Sequence, residues 1–203
     1  MLNLREIHFA KRQSKPKLTS YSFDSISIHI YEMPNLFRGS WNPRQEGLLK
    51  YIIEEKHLFI SKNTLVLFDG PGILCILLSM FGSLVSVFED LEYNSLIEKN
   101  IQRNLDSSAS PNFGIDKNCK YDYIIVCECI YANNNFATRV FSLLDQHCYK
   151  DTKIFLTIRN DHNLDIDQLL LNKYSRKQIT KYTSNFNVVF ELEQNVLSWL
   201  LQS

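Results

Sequence analysis

The chain has 203 residues, 45% of them hydrophobic, with 22 Lys and Arg against 22 Asp and Glu. That length and apolar content suit one domain with a substantial core, and a net charge of zero supplies neither the basic field of a general nucleic-acid binder nor that of a membrane-surface protein. Five cysteines, an odd number without a CxxC pair, argue against a disulfide scaffold, and no uninterrupted apolar stretch reaches the roughly eighteen residues of a membrane-spanning helix.

Residues 1–20 are basic and polar, with Lys11, Arg12, Lys15 and Lys17 around Pro16, and read as a solvated extension. Residues 21–203 are expected to form the single domain. YSFDSISIHIYE alternates apolar and polar residues through Phe23, Ile26, Ile28 and Ile30, the period of a half-buried strand or hairpin limb. After Pro34 and Gly39, WNPRQEGLLKYIIEEKHLF places Leu48, Leu49, Ile52 and Ile53 at helical spacing, with Asn42 and Pro43 as cap and first turn. TLVLF predicts a buried strand, ILCILLSMF a buried helix, LVSVF a second strand and YNSLIEKNIQRNL an amphipathic helix. YDYIIVCECIY, NNFATRVFSLLDQHC and KIFLTIR continue as strand, helix and strand. Apolar strands alternating with helices argue an α/β fold, a mainly parallel sheet covered on both faces. In the tail, the pattern predicts a helix near Asp165 to Tyr182 and a strand in FNVVFELE.

In such a sheet, ligands bind beyond the carboxyl ends of the strands, where the first βα turn brings its backbone close. The turn after TLVLF carries Gly70 and Gly72, and Glu89 or Asp90 follows the second strand, where an acid can accept hydrogen bonds from both hydroxyls of a ribose. A tight turn and a solvated acid would leave the same residues. The histidines, His8, His29, His57, His147 and His162, show no metal-ligand spacing, so no metal site is expected.

Trp41, Gly70, Gly72, Gly82, Glu89, the pair Asn100 and Asn104, and Glu128 with Tyr131 occur in an order that resembles the seven-strand S-adenosylmethionine-dependent methyltransferases. Within them it resembles the family-16 protein-lysine methyltransferases, from about Phe23 to Arg159. The resemblance implies a Rossmann-like fold with a small N-terminal β-element, S-adenosyl-L-methionine as cofactor, and a folded cytosolic protein, such as a translation factor or chaperone, as substrate. The cysteine usage and the absence of a spanning stretch lead us to expect a cytoplasmic or nuclear protein with no membrane partner, a monomer. The neutral charge argues against a nucleic-acid partner while leaving a specific nucleic-acid site open. The resemblance assigns Trp41, Gly70, Gly72, Glu89, Asp116 and Glu128 to cofactor binding, and Glu128 and Tyr131 to catalysis: Glu128 to orient the acceptor amine and Tyr131 to wall its channel.

Two departures accompany the resemblance. In the register that keeps the usual helix length before Gly82, Phe68 takes the first glycine position of the family's ELGxGxG turn, and Val66 replaces its acid. The other register keeps the first glycine at Gly70 and shortens the helix. The segment SSASPNFGIDKNC is short and polar where the family has a strand ending in Asp-Trp, and only Asp116 is available there. The alternative function is a catalytically silent methyltransferase-fold scaffold, with Phe68 and Val66 as the lesions.

Overall fold

The computed structural model describes residues 15–36, 38–127, 134–159, 174–178 and 187–194. A two-stranded antiparallel hairpin, β1 (Lys17–Phe23) and β2 (Ile26–Glu32), comes first. Strand β1 begins inside the segment read as an extension, because Lys17 and Leu18 pair with Glu32 and Tyr31. Asp24 turns the hairpin at φ 52°, a left-handed conformation that Asp tolerates better than most residues.

A 3₁₀ turn over Pro43–Gln45 leads into α1 (Glu46–Glu54), so the helix starts later than Asn42 and Pro43 suggest. Then follow β3 (Asn63–Leu67), α2 (Ile73–Met80), β4 (Leu84–Phe88), α3 (Leu91–Asn104), β5 (Asn112–Phe113), β6 (Tyr123–Val126), α4 (Asn134–His147), β7 (Lys153–Arg159), β8 (Tyr174–Gln178) and β9 (Asn187–Gln194). The seven-stranded sheet has the order β5-β4-β3-β6-β7-β9-β8. Five strands run parallel, and β9 and β8 add an antiparallel edge.

Two expectations change. Residues 174–178 form strand β8, not helix, because pairing with β9 from Tyr174↔Gln194 to Gln178↔Phe190 overrides local propensity. The polar segment after Asn104 does contain a strand, the two residues of β5 held on the β4 edge.

The period of two divides the core between the sheet's faces. Val66, Ile125 and Phe155 join α1, α2, α3 and the hairpin on one face. Leu65, Leu67, Ile124, Val126, Ile154 and Leu156 meet Val140 and Leu144 of α4 on the other. Helix α2 is buried along nearly its whole length, which explains why its sequence is apolar all round.

The hairpin is fastened to α3 by two asparagines. Asn100 Oδ1 accepts from Tyr31 N at 2.6 Å while its Nδ2 donates to Tyr31 O at 3.0 Å. Asn104 makes the same pair with His29, at 2.9 and 2.7 Å. Residues four apart on a helix and two apart on a strand recur at nearly the same distance, about 6 Å. The N-x-x-x-N spacing therefore mimics a strand partner for the free edge of β2. Strand order reverses between β3 and β6, which puts the expected ligand crevice at the carboxyl ends of β3, β4 and β6.

Candidate active site

The β3–α2 turn is built from an acid and two glycines. Asp69 is fully buried, and its carboxylate accepts from Leu74 N at 3.2 Å and Cys75 N at 2.7 Å, the free donors of the first turn of α2. Burial pushes its carboxyl up to about 7, against the lowering effect of those two donors. Gly70 and Gly72 have φ of 61° and 92°. A Cβ on Gly70 would stand 2.5 Å from the carbonyl oxygen of Arg38, and one on Gly72 3.1 Å from Ile97 Cγ2, so both glycines also admit the chain's own close packing.

Phe68 precedes this turn at φ 59°, a strained conformation for a bulky residue. Its side chain lies in the core with Leu65 and Leu67. Its ring meets Phe88 edge-on at 5.8 Å. Val66 faces the opposite core.

Glu89, at the end of β4, is joined directly to the turn: its Oε2 accepts from Gly70 N at 2.9 Å. Its Oε1 accepts from Asp90 N at 2.8 Å and lies 2.9 Å from Arg38 Nη2. Glu89 and Arg38 are 7% and 6% exposed. Burial raises the Glu89 carboxyl, and the Arg38 charge opposes that rise. Arg38 Nη2 also reaches Asp90, whose other oxygen takes Arg139 Nη1 at 2.6 Å. Arg38 packs over the rings of Phe68 and Tyr93, and Arg139 over Phe68 and Phe88.

Of the sequence-predicted residues, Gly70, Gly72 and Glu89 come together. Trp41 makes its contacts on the hairpin: its backbone N–H donates to Glu32 Oε1 at 2.9 Å, and its ring packs against Tyr21 and Phe23. There it walls a cavity of about 360 Å³ shared with Asp24, Glu46 and Lys50. Asp116 is exposed and accepts from Asn118 N at 2.8 Å, closing its own turn. Glu128 and Tyr131 lie outside the described residues. Cys127, the residue before Glu128, extends the parallel pairing of β6 through its N–H to Leu67 O at 3.0 Å, and its carbonyl accepts from Gln45 Nε2 at 3.0 Å.

Arg38 and Asp69 were not singled out by the sequence pattern. Asp69 had a local signal, an acid shortly before a helix. Arg38 had none, since both its acids lie far along the chain. Among the described residues no cluster of His, Cys, Asp and Glu is arranged to hold a metal, and no helix is long and apolar enough to cross a membrane.

No family model matches the chain. Over 145 residues it is 27% identical to EEF1A lysine methyltransferase 3 of Xenopus tropicalis, covering 66% of this chain and 64% of that protein, less than two thirds of the relative's length. The 16S rRNA N2 methyltransferase of T. thermophilus, solved with AdoMet and guanosine, superposes with a TM-score of 0.73 at 16% identity over 90% of this chain and 51% of that one. The magnesium protoporphyrin IX methyltransferase of Synechocystis PCC 6803, solved with bound SAM, gives 0.56 at 17% over 77% and 86%. The ribosomal protein L11 methylase of Lactobacillus delbrueckii gives 0.60 at 16% over 76% and 81%. These similarities and the sheet order, with its reversal between β3 and β6, assign the chain the fold of the S-adenosylmethionine-dependent methyltransferases.

Proposed function

We propose that the chain binds S-adenosyl-L-methionine at the carboxyl ends of β3 and β4 and transfers its methyl group to a lysine of a folded protein. The observation that carries this reading is the hydrogen bond from Gly70 N to Glu89, which joins the glycine turn to the acid that a ribose diol would engage. The similarity to EEF1A lysine methyltransferase 3 favours a protein lysine over the RNA and porphyrin acceptors named for the structural neighbours.

Among the described residues, those of the turn and the acid fit the cofactor, and Arg38 must yield to it. When bound, S-adenosylmethionine supplies a methyl group on a sulfonium, a good leaving group, so positioning dominates the chain's task. Glu89 holds the ribose, and the Asp69 carboxylate fixes α2 beneath the turn. Glu128, on the sequence resemblance, orients the acceptor amine, and Tyr131 walls its channel. A lysine must lose its proton to solvent before it attacks, which from a pKa near 10.4 costs roughly 4 to 5 kcal/mol at pH 7; the role of Glu128 in this reading is to orient the amine towards the methyl group.

The test is incubation of the protein with methyl-labelled S-adenosylmethionine and a cell lysate, followed by hydrolysis and amino-acid analysis. Label in methylated lysine is expected. Label confined to RNA contradicts the acceptor, and no transfer to any acceptor contradicts the activity.

A second reading, a silent methyltransferase-fold scaffold, is favoured by the same Arg38–Glu89 pair and by the packing of Arg38 against Gly70. It predicts no binding of cofactor under any condition.

A further inference from the structure

Arg38 is a buried cation at the place where the reading above puts a ribose. The turn that carries it is closed by Met33 N to Gly39 O at 2.6 Å and Leu36 N to Met33 O at 2.9 Å. Its own N–H donates to the Tyr93 hydroxyl at 3.4 Å. Its guanidinium carbon lies 5.2 Å from the Phe68 ring centre and 5.0 Å from that of Tyr93.

An ionised carboxylate offers about four acceptor positions. On Glu89 three are taken, by Gly70 N, Asp90 N and Arg38 Nη2. A ribose diol donates two hydrogens, one more than the acid has room for. The two backbone donors are fixed by the ends of β3 and β4, whereas Arg38 reaches in on a rotatable side chain. Asp90, already in contact with the same Nη2 and one-third exposed, offers the guanidinium a place to remain once it leaves Glu89. Withdrawal also moves a positive charge away from a site expected to receive a sulfonium.

We propose that Arg38 is a resident competitor for the ribose-binding acid, so that cofactor binds only as Arg38 shifts from Glu89 to Asp90, and cofactor affinity is set by that exchange. This rests on the cofactor site proposed above and adds to it a residue that sets affinity from within the chain.

The experiment is calorimetric titration of the full chain with S-adenosylhomocysteine, every variant at the same mildly alkaline pH. Arg38→Met retains a stem of similar length against Phe68 and Tyr93 and removes the charge. It is expected to bind about tenfold or more tightly than wild type. Adding Glu89→Gln to Arg38→Met should abolish that gain, because the acid that Arg38 released is gone. Arg38→Gln, read in the same way, replaces Arg38→Met if thermal melting shows that the methionine variant does not fold. Wild type that binds, with Arg38 variants that bind equally or more weakly, overturns the competition and leaves the cofactor site standing. Failure of wild type and every folded variant to bind overturns both.

Discussion

The backbone N–H of Gly70 donates to Glu89 Oε2 across 2.9 Å, and this bond joins the carboxyl ends of two neighbouring parallel strands into one rigid corner. Glu89→Gln keeps the size of the side chain and can keep the Gly70 bond, but loses the charge. Affinity for S-adenosylhomocysteine is expected to fall by about 1 to 3 kcal/mol, the range for a charge-assisted hydrogen-bonding partner. Glu89→Ala should also destabilise the fold by about 1 to 3 kcal/mol, since the buried Gly70 amide loses its acceptor while Arg38 keeps Asp90. Urea denaturation and calorimetry on the two variants separate these effects. Equal cofactor affinity in wild type and Glu89→Gln contradicts the ribose assignment.

Phe68→Gly relieves a left-handed backbone at φ 59° but deletes an aromatic side chain with no solvent exposure. The lost packing, about 3 to 5 kcal/mol for a buried aromatic, exceeds the relief, about 1 to 2 kcal/mol. Net destabilisation of about 1 to 4 kcal/mol is expected from chemical denaturation. A variant as stable as wild type would show that backbone strain, not packing, dominates this position.

Asp69 makes stability depend on pH in an unusual direction. Its carboxyl is pushed up to about 7 from an ordinary value near 3.8, mainly by burial, so between those values the folded state binds more protons than the unfolded state. Its contribution to stability is therefore full below about pH 4, falls as pH rises, and is lost above about pH 7, with an upper bound of about 4 kcal/mol. The raised carboxyl of Glu89 acts in the same direction. Denaturation curves for wild type and Asp69→Asn between these limits check the sign. The variant should be less stable than wild type at low pH, because an amide cannot accept from both Leu74 N and Cys75 N with two oxygens, and the gap should narrow as pH rises. A gap that widens with pH contradicts the assignment.

Asn100 and Asn104 should differ in weight. Asn100 is fully buried and bonds Tyr31 twice and Pro71 O at 2.8 Å, whereas Asn104 is partly exposed. Asn100→Ala is expected to cost about 2 to 4 kcal/mol and Asn104→Ala about 1 kcal/mol in urea denaturation. Because Pro71 lies between the two site glycines, only Asn100→Ala should also weaken cofactor binding. Equal losses from the two variants would contradict the role of the Pro71 bond.

The sequence made the sheet legible where neighbours along the chain decide the structure. Continuous apolar runs marked β3, β4, β6 and β7, and alternation marked the hairpin, because burial on two faces or one leaves that imprint on composition. Strand β8 and the two residues of β5 were not legible, since β8 is polar and exists through its antiparallel pairing with β9, and β5 is too short to show a period. In the site, Gly70, Gly72 and Glu89 were legible as a turn and a strand-ending acid. Arg38 was not, because the segment LFRGS carries no trace of the acids and rings that bury it. Val66 is a core residue, and Asp69, three residues further on, is the acid that serves the turn, a position the resemblance does not mark.

The most direct test of the central claim, a cofactor site at the Gly70–Glu89 corner, is a titration of the ¹⁵N-labelled chain with S-adenosylhomocysteine followed by amide chemical shifts. The account predicts saturable shifts concentrated at Gly70, Gly72, Glu89 and Asp90, with the Gly70 amide among the largest because its hydrogen-bond acceptor is the acid that receives the ribose. A spectrum unchanged at millimolar ligand, or saturable shifts confined to residues away from this corner, would contradict it.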